Sequence, residues 1–189
     1  MTDHFLRFST RVDILQNELM YVYIDDIGYI TDDDSEIYDI IKKDFACTRH
    51  IYISKSNGKS AAENISATEQ ALSRLNEGED FMTLVAEYGE DPGMTAEGYC
   101  FPKGYMSEKY EEAAFSLSAG EHSGIVEDAG GYYIIERREP ETLYIMTHFS
   151  ELKEIYQKYT FLAMVDAEQE KLVFEPNEYC KSIDLTKIS

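Results

Sequence analysis

Residues 75–90 read LNEGEDFMTLVAEYGE, and this stretch decides how the middle of the chain folds. Gly78 can end an incoming helix, because glycine readily takes the left-handed conformation that closes many helices. Asp80 can cap the next helix, since its carboxylate can accept hydrogen bonds from free backbone N–H groups. Apolar residues then recur at helical spacing: Phe81, Leu84, Val85 and Tyr88. The stretch therefore predicts two consecutive helices joined by a tight turn.

The segments around these helices predict strands, a loop and one more helix. Residues 47–53 are β-branched and aromatic, which favours a strand. The further predictions, in chain order, are a helix over 62–77, a loop over 89–104, a helix over 107–115, and strands at 124–126 and 132–137. The order β-α-α-α-β-β is that of a compact α+β unit, and Pro140 closes it.

Amphipathic helices are predicted on both sides of this unit. The first covers about 3–24, the next begins with a cap at Asp34 or Ser35, and the last covers about 150–171. A lone helix cannot bury its apolar stripe, so we expect the helices before and after the unit to pack on each other. The chain then divides into an N-terminal helical segment, an inserted α+β domain, and a C-terminal helix with a tail: 1–45, 46–139 and 140–189.

The charge of the chain excludes several classes of partner. The chain has 17 Lys and Arg residues and 37 Asp and Glu residues, which gives a net charge of −20. The excess of acidic residues is spread over all three segments. Nucleic acids and anionic membranes attract basic surfaces, so we expect neither a nucleic-acid partner nor direct membrane contact. Aromatic residues make up 13 % of the chain, which indicates a folded protein rather than an acidic disordered one.

The cysteines and apolar runs bear on the compartment. Cys47, Cys100 and Cys180 are far apart and form no CxxC pair, so three isolated thiols are expected rather than a disulfide framework or a zinc site. The longest apolar run, residues 19–24, is far shorter than the ~20 residues of a membrane-spanning helix. The first residues do not have the charged-then-apolar pattern of a signal peptide, so none is expected within this sequence. The composition fits both a cytoplasmic protein and an exported one given without its export signal.

Several short motifs follow one another along the middle unit. In chain order they occupy residues 49–51 (RHI), 75–90, 91–94 (DPGM), 98–106 (GYCFPKGYM), 110–117 (YEEAAFSL), 120–126 (GEHSGIV) and 131–135 (GYYII). In this order and spacing, residues 46–139 resemble a parvulin-type peptidyl-prolyl cis-trans isomerase domain. The helical segments on both sides resemble those of secreted Gram-positive foldases. The resemblance implies a small antiparallel sheet with surrounding helices, and an exported, lipid-anchored parent protein.

The resemblance also implies a site with two parts. The polar, catalytic part consists of His50, Asp91 and Tyr133. The part that holds the proline ring of the substrate consists of Phe101, Met106 and Tyr110. The residues alone leave a plainer interpretation open, because Met and aromatic side chains at helical spacing often form a core and a histidine can be structural.

Three positions depart from the family pattern. Tyr133 stands where the family has a second histidine, Tyr110 stands where phenylalanine is common, and Asp128 replaces a residue that usually carries a hydroxyl group. We expect Tyr133 to donate a hydrogen bond to a ring nitrogen of His50. We also expect substrate binding to persist while turnover is weakened.

Two functions from different classes are compatible with these residues. The first is an isomerase that rotates Xaa-Pro bonds of unfolded polypeptides and needs no metal or cofactor. Its loop after the first strand has only Lys55 and Lys59, so no preference for phosphorylated substrates is expected. The second is a catalytically weak or inactive chaperone that binds peptides in the same pocket. A scaffold that forms homo-oligomers through the flanking helices is a third alternative.

Overall fold

The computed structural model describes residues 14–171, and its centre is one antiparallel sheet in the order β2-β1-β4-β3. The strands are β1 (Ala46–Ser54), β2 (Tyr99–Phe101), β3 (Val126–Glu127) and β4 (Gly131–Arg138). Strand β1 pairs with β4 over eight positions and with β2 at its first three residues. Strand β2 lies in the segment predicted to be loop, so the predicted element order lacked one strand. Three residues are too few for an alternating pattern to stand out between the flanking glycines and prolines.

Seven helices surround the sheet within the described residues. The first, α1, is described from residue 14 and ends in the π-helical turn Val22–Asp26. The others are α2 (Asp34–Asp44), α3 (Ala61–Asn76), α4 (Phe81–Tyr88), α5 (Glu108–Ser116), α6 (Thr142–Thr147) and α7 (Phe149–Gln169). The short α6 was not predicted, and the first part of the predicted helix over 3–24 lies outside the described residues. No described helix is long and apolar enough to cross a membrane.

The helix ends follow the local chemistry of the sequence. Asp80 accepts a hydrogen bond from the Thr83 N–H at 2.8 Å, which confirms the predicted cap of α4. Gly78 has a φ of +94°, as expected for the residue that ends α3. Helix α2 is capped by Asp33, which precedes the two residues that we proposed for this cap.

The two faces of the sheet pack against different helices. Directly opposed residues of β1 and β4 point to the same face, so His50 shares a face with Ile135, and Ile51 shares the other face with Ile134. The face of Ile51 packs against α3 and α4 in a buried apolar cluster. The face of His50 packs against α5. Helix α5 therefore covers the face of β1 that carries the histidine.

The helices on both sides of the sheet unit pack on each other, as the sequence predicted. Ile37 and Ile41 of α2 share a buried cluster with Leu152 of α7. Lys153 of α7 also reaches back to the carboxylates of Asp32 and Asp34, at 2.8 and 2.7 Å. The cluster extends into the sheet through side chains of β1 and β2, so the helices and the sheet unit share one core.

The expectation of isolated thiols is wrong for two of the three cysteines. Cys47 and Cys100 lie directly opposite each other on β1 and β2, with Cα atoms 4.0 Å apart, and their sulfur atoms are bonded. They are 53 residues apart in sequence. Because β2 was not predicted, the register that brings the two cysteines together could not be predicted either. Cys180 lies outside the described residues.

Candidate functional site

A cavity of about 420 Å³ opens between the sheet and the N-terminal end of α5. Five of the six predicted site residues line it: His50, Asp91, Met106, Tyr110 and Tyr133. They come from four places in the chain, namely β1, the loop after α4, the start of α5 and β4. The fold therefore brings together residues that are up to 83 positions apart in sequence.

His50 is buried, and both of its ring nitrogens have a partner. Its Nδ1 lies 3.0 Å from the Tyr110 hydroxyl, and its Nε2 lies 3.1 Å from Oδ2 of Asp91. Burial lowers the pKa of His50, and the neighbouring Asp91 carboxylate only partly opposes this effect. The imidazole therefore favours its neutral form.

The Tyr110 hydroxyl is the polar end of an otherwise apolar helix face. It lies 2.9 Å from Oγ1 of Thr48, which is on the same face of β1 as His50. Burial raises the pKa of Tyr110, so its hydroxyl keeps its proton. The tyrosine that stands where the family commonly has phenylalanine thus hydrogen-bonds both Thr48 and His50.

Asp91 is held by a short loop that is tied to β1. Its Oδ1 accepts the Gly93 N–H at 2.8 Å, and its Oδ2 accepts the Tyr99 hydroxyl at 3.1 Å. The loop itself is fixed where the Glu90 N–H donates to the Tyr52 carbonyl at 2.8 Å. Hydrogen bonds to both carboxylate oxygens therefore hold the Asp91 side chain in place.

Gly98 lets the same loop return against β1. It has a φ of +73°, and a Cβ atom at this position would collide with the carbonyl oxygen of Thr48. A larger residue would push the start of β2 away, and with it the Tyr99 hydroxyl that binds Asp91.

Tyr133 contacts His50 through its ring rather than through a hydrogen bond. The two ring centroids are 5.5 Å apart and nearly perpendicular, and Tyr133 also stacks on Tyr52 at 4.7 Å. Burial raises the pKa of Tyr133 to about 12. We expected Tyr133 to donate a hydrogen bond to a ring nitrogen of His50, but Tyr110 supplies this partner, at Nδ1.

Phe101 lies beneath the cavity instead of lining it. It is fully buried and packs with its ring centroid 5.9 Å from that of Tyr110. Met106 and the Tyr110 ring form the apolar wall above it. Of the three residues predicted to hold a proline ring, two face the cavity and Phe101 supports one of them.

The rim of the cavity is acidic. Glu90 and Asp128 line it together with Asp91. The pKa of Asp128 is lowered mainly by a hydrogen bond from the Ser107 side chain and by a backbone hydrogen bond.

Within residues 14–171 no group of three or more His, Cys, Asp and Glu side chains is placed to hold a metal ion. The site can hold an apolar ring beside a polar wall of fixed hydrogen bonds.

The sequence analysis did not identify three supporting residues of the site: Thr48, Tyr52 and Tyr99. A signal exists for the first two, because they alternate with His50 along β1 and therefore share its face of the sheet. Tyr99 is opposite Thr48 in the register of β2 and could not be assigned without that strand.

Comparison with known proteins gives the same family for the middle of the chain. A family model described as the PPIC-type PPIase domain matches residues 39–141, which is more than half of the chain. The foldase protein PrsA of Geobacillus kaustophilus is 28 % identical over 191 residues, covering 97 % of this chain and 62 % of that protein. PrsA of Caldanaerobacter subterraneus is 34 % identical over 126 residues, covering 65 % of this chain and 39 % of that protein.

The crystal structure of PrsA from Bacillus subtilis has a TM-score of 0.46 and 21 % identity, covering 93 % of this chain and 66 % of that one. The chain spans less than two thirds of the length of the two curated relatives. The family model matches residues 39–141, and the motif order and the antiparallel sheet agree with that match. The chain therefore belongs to the parvulins, the PPIC-type peptidyl-prolyl isomerase family.

Proposed function

We propose that this chain isomerises Xaa-Pro bonds in unfolded polypeptides. The observation that carries the proposal is one cavity in which an apolar wall, Met106 and Tyr110, faces the hydrogen-bonded pair of His50 and Asp91. In the substrate, an apolar proline ring lies next to a polar amide bond, so the ring can contact the apolar wall while the amide contacts the polar pair. The cavity of about 420 Å³ has room for such a segment.

The chemistry that the site must supply is selective binding of a twisted amide. Resonance opposes rotation with a barrier of ~18–20 kcal/mol, and it puts partial negative charge on the carbonyl oxygen. Rotation removes this charge, so a carboxylate near the oxygen disfavours the planar amide more than the twisted one. We assign this role to Asp91, with His50 and Tyr133 forming the remaining polar wall. Met106 and Tyr110 hold the ring, and Phe101 supports Tyr110.

The charges around the site favour unphosphorylated substrates. Lys55 donates to Glu127 at 2.9 Å, and Lys59 lies 3.8 Å from Glu90. Both lysines of the loop after β1 thus already have a carboxylate partner, and the cavity rim is acidic. A phosphate group would meet repulsion there, so a phosphopeptide is expected to bind more weakly than its unphosphorylated twin.

We further propose that the protein works outside the cytoplasm as part of a longer foldase. Both curated relatives described above carry the name foldase. The bonded pair Cys47–Cys100 supports the same compartment, because disulfides persist where the surroundings are oxidising. In this proposal residues 46–139 are the isomerase domain, and residues 1–45 and 140–189 form its helical partner. Nucleic acid and direct membrane contact remain unexpected for this acidic chain.

A protease-free isomerase assay on a short unphosphorylated Xaa-Pro peptide tests the proposal. Met106→Ala removes part of the apolar wall, and the loss of about 1.5–3 kcal/mol of burial predicts a fall in kcat/KM of tenfold or more. Met82→Ala is the matched control, because Met82 packs on the opposite face of the sheet. This control should keep the wild-type kcat/KM.

A parallel measurement separates the isomerase from the chaperone alternative. The wild-type protein is assayed for suppression of aggregation of an unfolded client under the same conditions. Suppression without any turnover on the peptide would mean that the isomerase proposal is wrong. Turnover that Met106→Ala and Met82→Ala lower equally would place the activity outside this cavity.

A further inference from the structure

We propose that the Tyr110 hydroxyl, backed by Thr48, is a positioning group that donates to Nδ1 of His50. It thereby holds the ring against Asp91, whose carboxylate sets the tautomer with the proton on Nε2. This inference rests on the proposed function of the cavity, but it concerns how the site is kept ready rather than which bond it rotates. It assigns Tyr110 a second role beside the apolar contact of its ring.

The direction of each hydrogen bond follows from what the groups can donate. The Asp91 carboxylate can only accept, so the contact of 3.1 Å requires a proton on Nε2 of His50. In a neutral imidazole Nδ1 is then an acceptor, and the Tyr110 hydroxyl at 3.0 Å must donate to it. The Tyr110 proton is thereby committed, so the Thr48 hydroxyl at 2.9 Å donates to the Tyr110 oxygen. Every donor in this series has one acceptor.

Burial makes the series hard to rearrange. Thr48, His50 and Tyr110 expose 0, 6 and 2 % of their surface, so water cannot easily replace any of the three groups. A buried nitrogen that loses its partner is costly, because its desolvation is then uncompensated. The three side chains also come from two elements, β1 and α5, that pack on each other. The packing of α5 on the sheet therefore fixes the arrangement.

Three of the tyrosines around His50 keep their protons near neutral pH. Five titratable side chains face or contact it from β1, the loop after α4, β2, α5 and β4: Tyr52, Asp91, Tyr99, Tyr110 and Tyr133. Glu90 and Asp128 line the same cavity farther out. Burial raises the pKa of Tyr99 and Tyr133 to about 12, and it raises that of Tyr110 as well. A tyrosine on Nδ1 therefore cannot exchange a proton with His50 near neutral pH.

The test combines Tyr110→Phe with ¹⁵N NMR of the His50 ring. In the full wild-type chain the spectrum should contain one neutral tautomer, protonated on Nε2. Tyr110→Phe keeps the ring but removes the donor, while Asp91 still requires the proton on Nε2. The ¹⁵N resonance of the unprotonated Nδ1 should therefore shift, because this nitrogen loses its hydrogen bond. In the isomerase assay kcat should fall tenfold or more, while KM stays within twofold because the apolar wall remains.

Two further variants keep the inference falsifiable. Tyr132→Phe removes a hydroxyl from a buried tyrosine on the opposite face of the sheet, and it should leave both the spectrum and kcat unchanged. Thr48→Val removes the group behind Tyr110 and should lower kcat by less than Tyr110→Phe does.

Two outcomes would overturn the inference. One is a wild-type spectrum with the proton on Nδ1, and the other is Tyr110→Phe with an unchanged Nδ1 resonance and unchanged kcat. These outcomes are distinct from a failure of the proposed function. If the wild-type chain had no turnover at all, the isomerase proposal would be wrong, and the spectra of wild type and Tyr110→Phe would still decide the role of Tyr110.

Discussion

His50 connects the stability of the protein to the chemistry of its site. Its imidazole is buried between Tyr110 and Asp91, so adding a proton would place a charge in the core and break the hydrogen bond in which Nδ1 accepts. The folded protein therefore binds this proton less readily than the unfolded chain does. A single residue makes both stability and turnover depend on pH.

The direction of the pH dependence follows from the weaker proton binding of His50 in the folded protein. Burial lowers the pKa of His50 below its usual value of about 6.5. The contribution of His50 to the free energy of unfolding is therefore complete above about pH 6.5, and it is lost as the pH falls toward the pKa of the folded state. Titration of the His50 ring by NMR should give a pKa below that of an unfolded peptide. A value at or above it would contradict this description of the site.

The family resemblance identified most residues of the site but not the contacts between them. It led to five residues that the fold gathers around one cavity, because a motif fixes residue types at fixed spacing. It did not assign the partner of His50, since the change from phenylalanine to tyrosine at position 110 gains its meaning from a contact with Thr48 across 62 positions. Such a contact depends on how α5 lies on the sheet, and no local pattern encodes it.

At the scale of elements, the short strand β2 has the largest consequences. It brings Tyr99 to Asp91 and Cys100 to Cys47, yet it has only three residues. The longer helices α3 and α4 were predictable from their caps and apolar spacing. Strand β2 was not, because its pairing with β1 depends on Gly98 and on the register rather than on its own sequence.

The disulfide should be the main covalent support of this region. It closes a loop of 53 residues, for which the chain-entropy model gives about 4 kcal/mol of stability. Reduction should therefore lower the free energy of unfolding by that order, as measured by urea unfolding with and without a reductant. It should also lower isomerase turnover, because β2 carries Tyr99.

The double variant Cys47→Ser, Cys100→Ser provides the control. It should unfold like the reduced wild-type protein, and the reductant should not change its unfolding curve further. If reduction left the wild-type curve unchanged, the two strands would not depend on this bond.

At the scale of the whole molecule, the flanking helices and the sheet unit form a continuous structure. The buried cluster of α2 and α7 includes Ile145 of α6 and the disulfide of the sheet. Such a shared core is expected to couple the two parts in unfolding. Formation of homo-oligomers through the flanking helices stays a prediction, which light scattering can check.

Truncation of Leu152 tests this coupling. Leu152 is 2 % exposed in the shared cluster, and Leu152→Ala should cost about 2–5 kcal/mol. Because the core is shared, far-UV circular dichroism and tyrosine fluorescence should report one unfolding transition, shifted to lower temperature. Two separate transitions would indicate that the helices and the isomerase domain unfold independently.

Exchange NMR on a short unphosphorylated Xaa-Pro peptide is the most direct test of the central claim, that the cavity at His50 and Met106 catalyses rotation of the Xaa-Pro bond. Without a catalyst the two isomers interconvert over about 10–100 s or longer. With a catalytic amount of the wild-type protein, cross-peaks between the cis and trans signals should appear at mixing times of about 1 s, and Met106→Ala should remove most of their intensity. A peptide that binds in this cavity, as seen from shifts of the His50 signals, but exchanges no faster than in buffer would contradict that claim.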